Sequence, residues 1–253
     1  MIKFFRKIRL NLIETGKTSK YFKYAIGEIV LVVIGILIAL QINNWNENSN
    51  ISKKEVALLI NIKNDIEADI LGLKRQDSMY AIKEINSEQG IDLFYNAKTI
   101  KDIDSVFVLT IALWNELYIN KNTYNEMINS GSMYSMKNKE LQKEINKYYL
   151  LVEAHREYIR SVNSQQSILL EQDPAMHPVK LLIRQIKKPR IDLKLIDTSW
   201  INNPKSATYL SLENYLFSNQ NLSNRYRRVV FKRILIAANK LKTTITKELE
   251  SRH

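Results

Sequence analysis

The chain has 253 residues, a formal net charge of +12 at neutral pH and no cysteine. The lack of cysteine excludes disulfides, thiolate metal ligands and cysteine nucleophiles. Three histidines, His155, His177 and His253, are too few and too widely spaced in the sequence for a histidine-based metal site. We therefore predict no metal, no cofactor and no catalytic residues.

The first predicted element is a basic segment over residues 1–23, which holds seven cations and one acid, Glu14. Its apolar residues fall on one helical face, which is typical of a helix lying on an anionic cytoplasmic leaflet. The alternative is that the cations only fix the orientation of the following span. The apolar residues of this face are Ile2, Phe5, Ile8 and Leu12.

Residues 24–44 are predicted to form a transmembrane helix, because Ala25 to Leu40 contain one charged residue, Glu28, and are otherwise apolar. Tyr24 and Trp45 bracket the stretch at a separation of about 31 Å along a helix. Both residue types prefer membrane interfaces, so we expect them to be interface anchors. A cleaved signal peptide and a buried soluble helix are the alternatives. The length of the apolar run disfavours the first, and the near-absence of polar positions disfavours the second.

The orientation of this span follows from the positive-inside rule, since seven cations precede it and no cation follows until Lys53. We expect a single-pass protein of the inner membrane, with the N-terminus in the cytoplasm and the C-terminal domain in the periplasm. The lipid bilayer is then its first partner.

Within the span, Gly27, Glu28, Gly35 and Ala39 are predicted to mark a helix-packing contact. Small residues allow close approach of helices, and a membrane acid is often functional. The contact would join two copies of the chain or bind another membrane protein. Alternatively, Glu28 is paired near the interface with Lys20 or Lys23, and the glycines have no special role.

The remaining chain is predicted to be all-α, with the membrane helix continuing into a long stalk helix over 45–90 and then an antiparallel helical bundle. Gly90 is expected to end the stalk. The bundle begins over 91–171, and its predicted helices are 102–118, capped by Asp102 or Asp104, then 124–129 and 138–171.

All four prolines lie in a predicted connector over 172–204, which is either a packed loop or a lid. Residues 205–253 are expected to complete the bundle as a basic helical hairpin. Charge is asymmetric: residues 43–173 hold 15 cations and 19 acids, and residues 174–253 hold 16 cations and 5 acids. A periplasmic location argues against nucleic acid. It leaves anionic lipid headgroups, an acidic partner or the acidic part of the same domain.

Two segments resemble a known family. Residues 21–47 read YFKYAIGEIVLVVIGILIALQINNWNE, and residues 123–149 read TYNEMINSGSMYSMKNKELQKEINKYY. Together they are similar to an uncharacterised family, a domain of unknown function, of single-span inner-membrane proteins of Gram-negative bacteria. The resemblance implies a membrane anchor with a periplasmic helical domain and implies no catalytic residue.

Three other features invite a chemical role, and each has a structural alternative. His155 lies in the apolar stripe of its helix, which is more typical of a core residue. The 129–132 turn could bind an anion, but an interhelical turn explains it. Glu153 and Glu157 could form a catalytic acid pair, but nearby Arg156 and Arg160 favour solvated ion pairs.

These patterns favour a protein-binding or scaffold component of a membrane complex, with another membrane or periplasmic protein, or a second copy, as partner. The alternative is a one-helix ligand sensor component that signals through a partner. A periplasmic hydrolase lacks the motifs that such an enzyme needs.

Overall fold

The structure is a computed structural model that describes residues 18–110, 116–187, 192, 194 and 196–252. Every regular element among these residues is helical, which confirms the all-α prediction. The chain divides into two compact units, Met1–Ala57 and Leu58–His253. Most of the amphipathic segment predicted over 1–23 lies outside the described residues.

In the first unit, the described residues belong to helix α1, which begins at Thr18 and ends at Asn96. Its apolar stretch has a mean hydropathy of 2.6, and none of that stretch is buried. The large apolar side chains from Ile29 to Leu40 are all exposed. This stretch is therefore long and apolar enough to cross a membrane, and no other described segment covers it.

In the second unit, α1 supplies one wall of the main core. Its buried side chains recur every three or four residues, as the sequence predicts for one helical face: Leu59, Ile62, Ile66, Ile70 and Leu73. Further along, Tyr80 packs edge-to-face against Tyr226 and Phe231, with ring centroids 5.5 Å apart in each pair.

Helix α1 does not end at Gly90, as the sequence had suggested, but continues to Asn96. Gly90 is buried, and a Cβ atom at this position would lie 2.2 Å from Cγ2 of Thr110. Thr110 belongs to helix α2, Ile100–Thr110. The glycine is therefore a close-packing contact between two helices and not a helix terminator.

Helix α2 begins two residues before the predicted 102–118, and residues 116–118 of that prediction are not helical. It starts with a capping box, in which the Asp102 carboxylate accepts the Thr99 N–H at 2.8 Å and Thr99 Oγ1 accepts the Asp102 N–H at 3.4 Å. The residues that follow position 115 are irregular up to helix α3, Asn122–Asn129.

The turn after α3 is made by Gly131, whose φ of 72° is a left-handed conformation suited to glycine. A short helix, α4 (Ser132–Ser135), follows. The long helix α5, Lys139–Glu171, then begins with Asn138 as N-cap, whose side chain accepts the Leu141 N–H.

The described part of the proline-containing connector packs against the rest of the domain. It contains a 3-10 turn at Pro174–Met176, helix α6 at His177–Lys187 and a second 3-10 turn at Ser199–Asn202. Its apolar residues join a second core with the end of α1, α2 and α7. The buried connector residues of this core are Met176, Val179, Leu182, Ile196, Trp200 and Ile201.

In place of the predicted hairpin over 205–253, the structure has one continuous helical run. Helix α7, Ala207–Arg225, passes through a π-helical segment, Tyr226–Phe231, into helix α8, Lys232–Glu250. No glycine or proline follows Pro204, so no residue in this region breaks the helix.

Helix α5 runs antiparallel to this continuous run, and side-chain contacts follow the pairing from one end to the other. Asn138 donates to Glu248, Lys240 pairs with Glu144, and Tyr226 donates to Asn163. The same run is antiparallel to α1, as the pairs Lys242–Glu67 and Arg227–Glu84 show. The second unit is thus an antiparallel helical bundle.

Candidate functional site

An open groove of about 730 Å³ lies between α5 and α8. Leu150 on α5 and Ile236 on α8 line it and are 69% and 62% exposed. Two large aliphatic side chains on facing helices, both so exposed, form an apolar patch without a cover among the described residues. Four further residues complete the apolar lining: Tyr148, Leu151, Ala237 and Leu241.

Charged side chains surround this apolar lining. Two of the cations are neutralised within the domain, since Lys143 lies 2.7 Å from Glu140 and Lys240 lies 2.9 Å from Glu144. The hydrogen bond from Lys240 lowers the pKa of Glu144, against the opposing effect of burial. The two other lining cations, Lys147 and Arg233, have no carboxylate within 4.0 Å among the described residues.

A second open cavity, of about 830 Å³, lies on the other side of Ile236. Lys232, Arg227 and Arg228 line it together with Leu235. Ile236 therefore stands between two cavities, and cations border both of them.

The Arg227 guanidinium makes the strongest charge network of this region. It lies 2.5 Å from Glu84 and 3.3 Å from Asp77, and Asn224 also donates to Glu84. Burial opposes ionisation of Glu84, but these hydrogen bonds outweigh it and lower the pKa of the carboxyl. Arg227 thus links the π-helical segment to α1 through ion pairs and is not available to bind a ligand.

Two carboxylates on α1, the buried Asp69 and the half-buried Asp65, lie one helical turn apart. Asp69 is only 6% exposed, and its Oδ1 accepts the Asn120 N–H at 2.8 Å. Asp65 accepts from Asn120 Nδ2 at 2.7 Å and from the Thr123 N–H at 3.4 Å. The pair therefore holds the irregular segment before α3 and the start of that helix.

Burial is the main cause that raises the pKa of Asp69 to about 6, and the neighbouring Asp65 charge adds to it. The hydroxyl of Tyr148 is buried nearby, and its pKa is raised by burial and by the Asp69 charge. Neither Asp69 Oδ2 nor the Tyr148 hydroxyl has a partner with hydrogen-bond geometry. Since Asp69 is enclosed and both carboxylates accept backbone N–H groups, the arrangement is that of a structural cluster.

His155 is half-buried on α5, and its Nε2 has no hydrogen-bond partner. Burial and the charge of Arg233 lower its pKa. No group of three or more His, Cys, Asp or Glu side chains in the described part of the chain could hold a metal ion.

The other two candidates also have structural explanations. Ser130 and Ser132 hydrogen-bond to each other through their hydroxyls at 2.8 Å in the exposed turn around Gly131. Glu153 lies 2.7 Å from Lys121 and 3.4 Å from Arg156, and the hydrogen bond from Lys121 lowers its pKa.

The residues predicted to form the span contact lie on α1. A Cβ atom at Gly27 or Gly35 would have nothing within 4 Å, so these positions are open. Trp45 is also exposed. The side chain of Tyr24 lies outside the described part. The helix contact and the interface anchors stay predictions.

Sequence reasoning missed Asp69 and the α5–α8 groove. A signal for Asp69 exists, because it comes seven residues after Ile62 and four before Leu73 and therefore lies on the buried stripe. The groove has no comparable signal, since it depends on which exposed residues of two distant helices become neighbours.

Comparison with known proteins gives one match. Residues 28–168, more than half of the chain, match a family described as Family of unknown function (DUF6090). No curated protein and no solved structure matches. The family match covers α5 up to Ile168 and does not reach α8. It nevertheless spans most of the apolar stretch of α1, the Asp65–Asp69 pair and one wall of the groove, and the chain belongs to this family of unknown function.

Proposed function

We propose that the protein is a membrane-anchored docking component whose helical domain binds a segment of another protein in the α5–α8 groove. The observation that carries the proposal is the exposure of Leu150 and Ile236 on facing walls of an open groove. Exposed apolar patches rimmed by charge are typical of interaction sites. The proposed role is binding, not catalysis.

The proposed anchor is the apolar stretch of α1, which spans the inner membrane of a Gram-negative bacterium with the helical domain in the periplasm. Its support is the exposed apolar surface of α1 together with the seven cations that precede it. A periplasm-dependent reporter fused after His253 should be active, and the protein should resist extraction by salt. Reporter activity confined to the cytosol would contradict the orientation.

A docking role accounts for the groove better than ligand sensing does. A small-molecule sensor needs an enclosed pocket with convergent polar groups. The α5–α8 groove is open to solvent, and its aliphatic side chains are bordered by charged ones, which suits a helix or strand of a macromolecule.

The docking role is tested by placing a charge in the groove. Leu150→Glu and Ile236→Glu should remove the protein from any larger complex on native gels of gently solubilised membranes. Val108→Glu is the matched control, because Val108 is 76% exposed on α2, away from the groove lining. Unchanged migration of both groove variants, with a complex present in the wild type, would refute the proposal.

A second contact is proposed in the membrane, through Gly27, Glu28, Gly35 and Ala39. Gly35→Ile combined with Glu28→Leu should weaken association of the isolated span in a transmembrane dimerisation reporter, because both changes alter the packing line. Ile34→Leu is the control. An unchanged reporter signal would leave these residues without a contact.

A further inference from the structure

The charge of the C-terminal run is unusually one-sided. Residues 226–247 contain seven cations and no acid. Four of these cations pair with carboxylates of the same domain: Arg227, Arg228, Lys240 and Lys242. Acidic residues of the same domain thus pair with four of the seven cations and leave the other three without such a partner in the described part of the chain.

The cations that remain near the groove are placed next to its two exposed apolar residues. Lys232 and Arg233 precede Ile236 by one helical turn on α8, and Lys147 precedes Leu150 by one turn on α5. All three are exposed, and none has a carboxylate within 4.0 Å among the described residues. Each exposed aliphatic side chain therefore has beside it a cation that forms no close ion pair among the described residues.

The dimensions of the groove suit a short helix. Its α5 wall extends from Glu140 to Leu151, which is about 16 Å along a helix axis and corresponds to three turns. A helix of this length presents apolar residues at positions i, i+4 and i+7 on one face, and neighbouring positions lie on its two flanks.

We propose that the groove binds an acidic amphipathic α-helix of a different protein. Its apolar face contacts Leu150 and Ile236, and Asp or Glu residues on its flanks pair with Lys147, Lys232 and Arg233. This inference rests on the proposed docking function and adds the chemistry of the partner.

The experiment replaces Leu150 or Ile236 with a photo-crosslinking amino acid in the full-length protein in native membranes and sequences the crosslinked peptides. Both positions should give overlapping peptides from one other protein, with net negative charge and helical apolar spacing. Val108 and Leu210, which are exposed elsewhere on the domain, are the control positions.

The charge requirement is tested in the same membranes. Lys147→Gln, Lys232→Gln and Arg233→Gln together should lower the crosslinking yield at Ile236 about tenfold, because three exposed ion pairs are lost. Replacement of both lysines by arginine should preserve the yield. Circular dichroism of the purified variants checks that the helical content is unchanged.

The possible outcomes distinguish a failure of the acidic-helix proposal from a failure of the docking function. A groove-specific peptide of another protein that is neutral or basic overturns the acidic partner and leaves the docking function standing. Crosslinks only to lipid, only to a second copy of this chain, or no stronger than at Val108 overturn both. If an acidic peptide is captured but the triple glutamine variant gives an unchanged crosslinking yield, the proposed charge pairing is wrong.

Discussion

The Asp65–Asp69 pair of α1 and the α5–α8 groove both combine charged groups with aliphatic side chains, but in opposite ways. Asp69 is buried and Asp65 half-buried, and their partners are backbone and side-chain groups of the same chain. At Leu150 and Ile236 the apolar groups are exposed, and three neighbouring cations, Lys147, Lys232 and Arg233, have no carboxylate within 4.0 Å among the described residues. The first arrangement supports the fold. The second leaves both kinds of surface open to a partner.

The largest expected effect is in the interior next to the acid pair. Ile66→Ala should lower the free energy of unfolding by about 3 kcal/mol, because Ile66 is fully buried and its truncation leaves a cavity. Ile82→Ala on the same helix is the matched control, since Ile82 is 60% exposed. Urea unfolding of the detergent-solubilised protein measures both, and equal losses would contradict the assignment of the two faces.

The next largest effect is the pH dependence of stability that Asp69 causes, which tests whether this carboxylate has a structural role. The folded-state pKa of Asp69, about 6, lies above the ordinary value of 3.8, so the folded chain holds the proton more tightly than the unfolded chain. This contribution to stability is complete below about pH 3.8 and is lost as the pH rises through 6.

Asp69→Asn should therefore stabilise the protein by about 2 kcal/mol at pH 7.5, because the amide keeps the acceptor for Asn120 and removes the buried charge. The gain should shrink as the pH falls through 6 and should be lost below about pH 3.8. Thermal unfolding of wild type and variant at several pH values measures the difference. A gain that does not change with pH would show that Asp69 is not protonated in this range.

A smaller effect is expected at the contact between α1 and α2. Gly90→Ala should lower the free energy of unfolding by about 1–2 kcal/mol, because the new methyl group meets the buried side chain of Thr110. The better helix propensity of alanine offsets part of this cost. Gly72→Ala, where a Cβ has open space, should be neutral or stabilising. A stabilised Gly90→Ala variant would mean that α2 can move away.

The smallest expected effect on stability belongs to the groove. Leu150→Ser and Ile236→Ser should each change the free energy of unfolding by less than about 0.5 kcal/mol, since neither side chain is buried. Urea unfolding provides the measurement. A loss near that of Ile66→Ala would mean that these residues support the fold, and the contrast between the two regions would disappear.

The helical class, the apolar stretch of α1, the stripe from Leu59 to Leu73 and the turn at Gly131 were predictable, because each depends on residues near one another in the chain. The end of α1 was not, because glycine both ends helices and permits close packing. Only the position of Thr110 decides between these roles at Gly90.

The hairpin predicted over 205–253 failed for a related reason. Asn219 and Ser223 are polar residues near its middle, but both are buried inside a continuous helix. Likewise, the sequence located the positive charge of this region without telling which cations meet Glu67, Glu84 or Glu144. The groove emerges only after that pairing is known.

The π-helical segment Tyr226–Phe231 lies between two parts of the continuous C-terminal helix that pack into different cores. Before it, Tyr209, Leu212 and Leu216 enter the second core, and after it, Ile234, Ala238 and Leu241 enter the main one. If the same residues were wound as an uninterrupted α-helix, this turn would hold one residue fewer, and everything downstream would rotate by about 100° about the helix axis. Ile234 would swing toward water and Ile236 away from Leu150. The π-helical segment therefore determines which side chains of α8 face the main core.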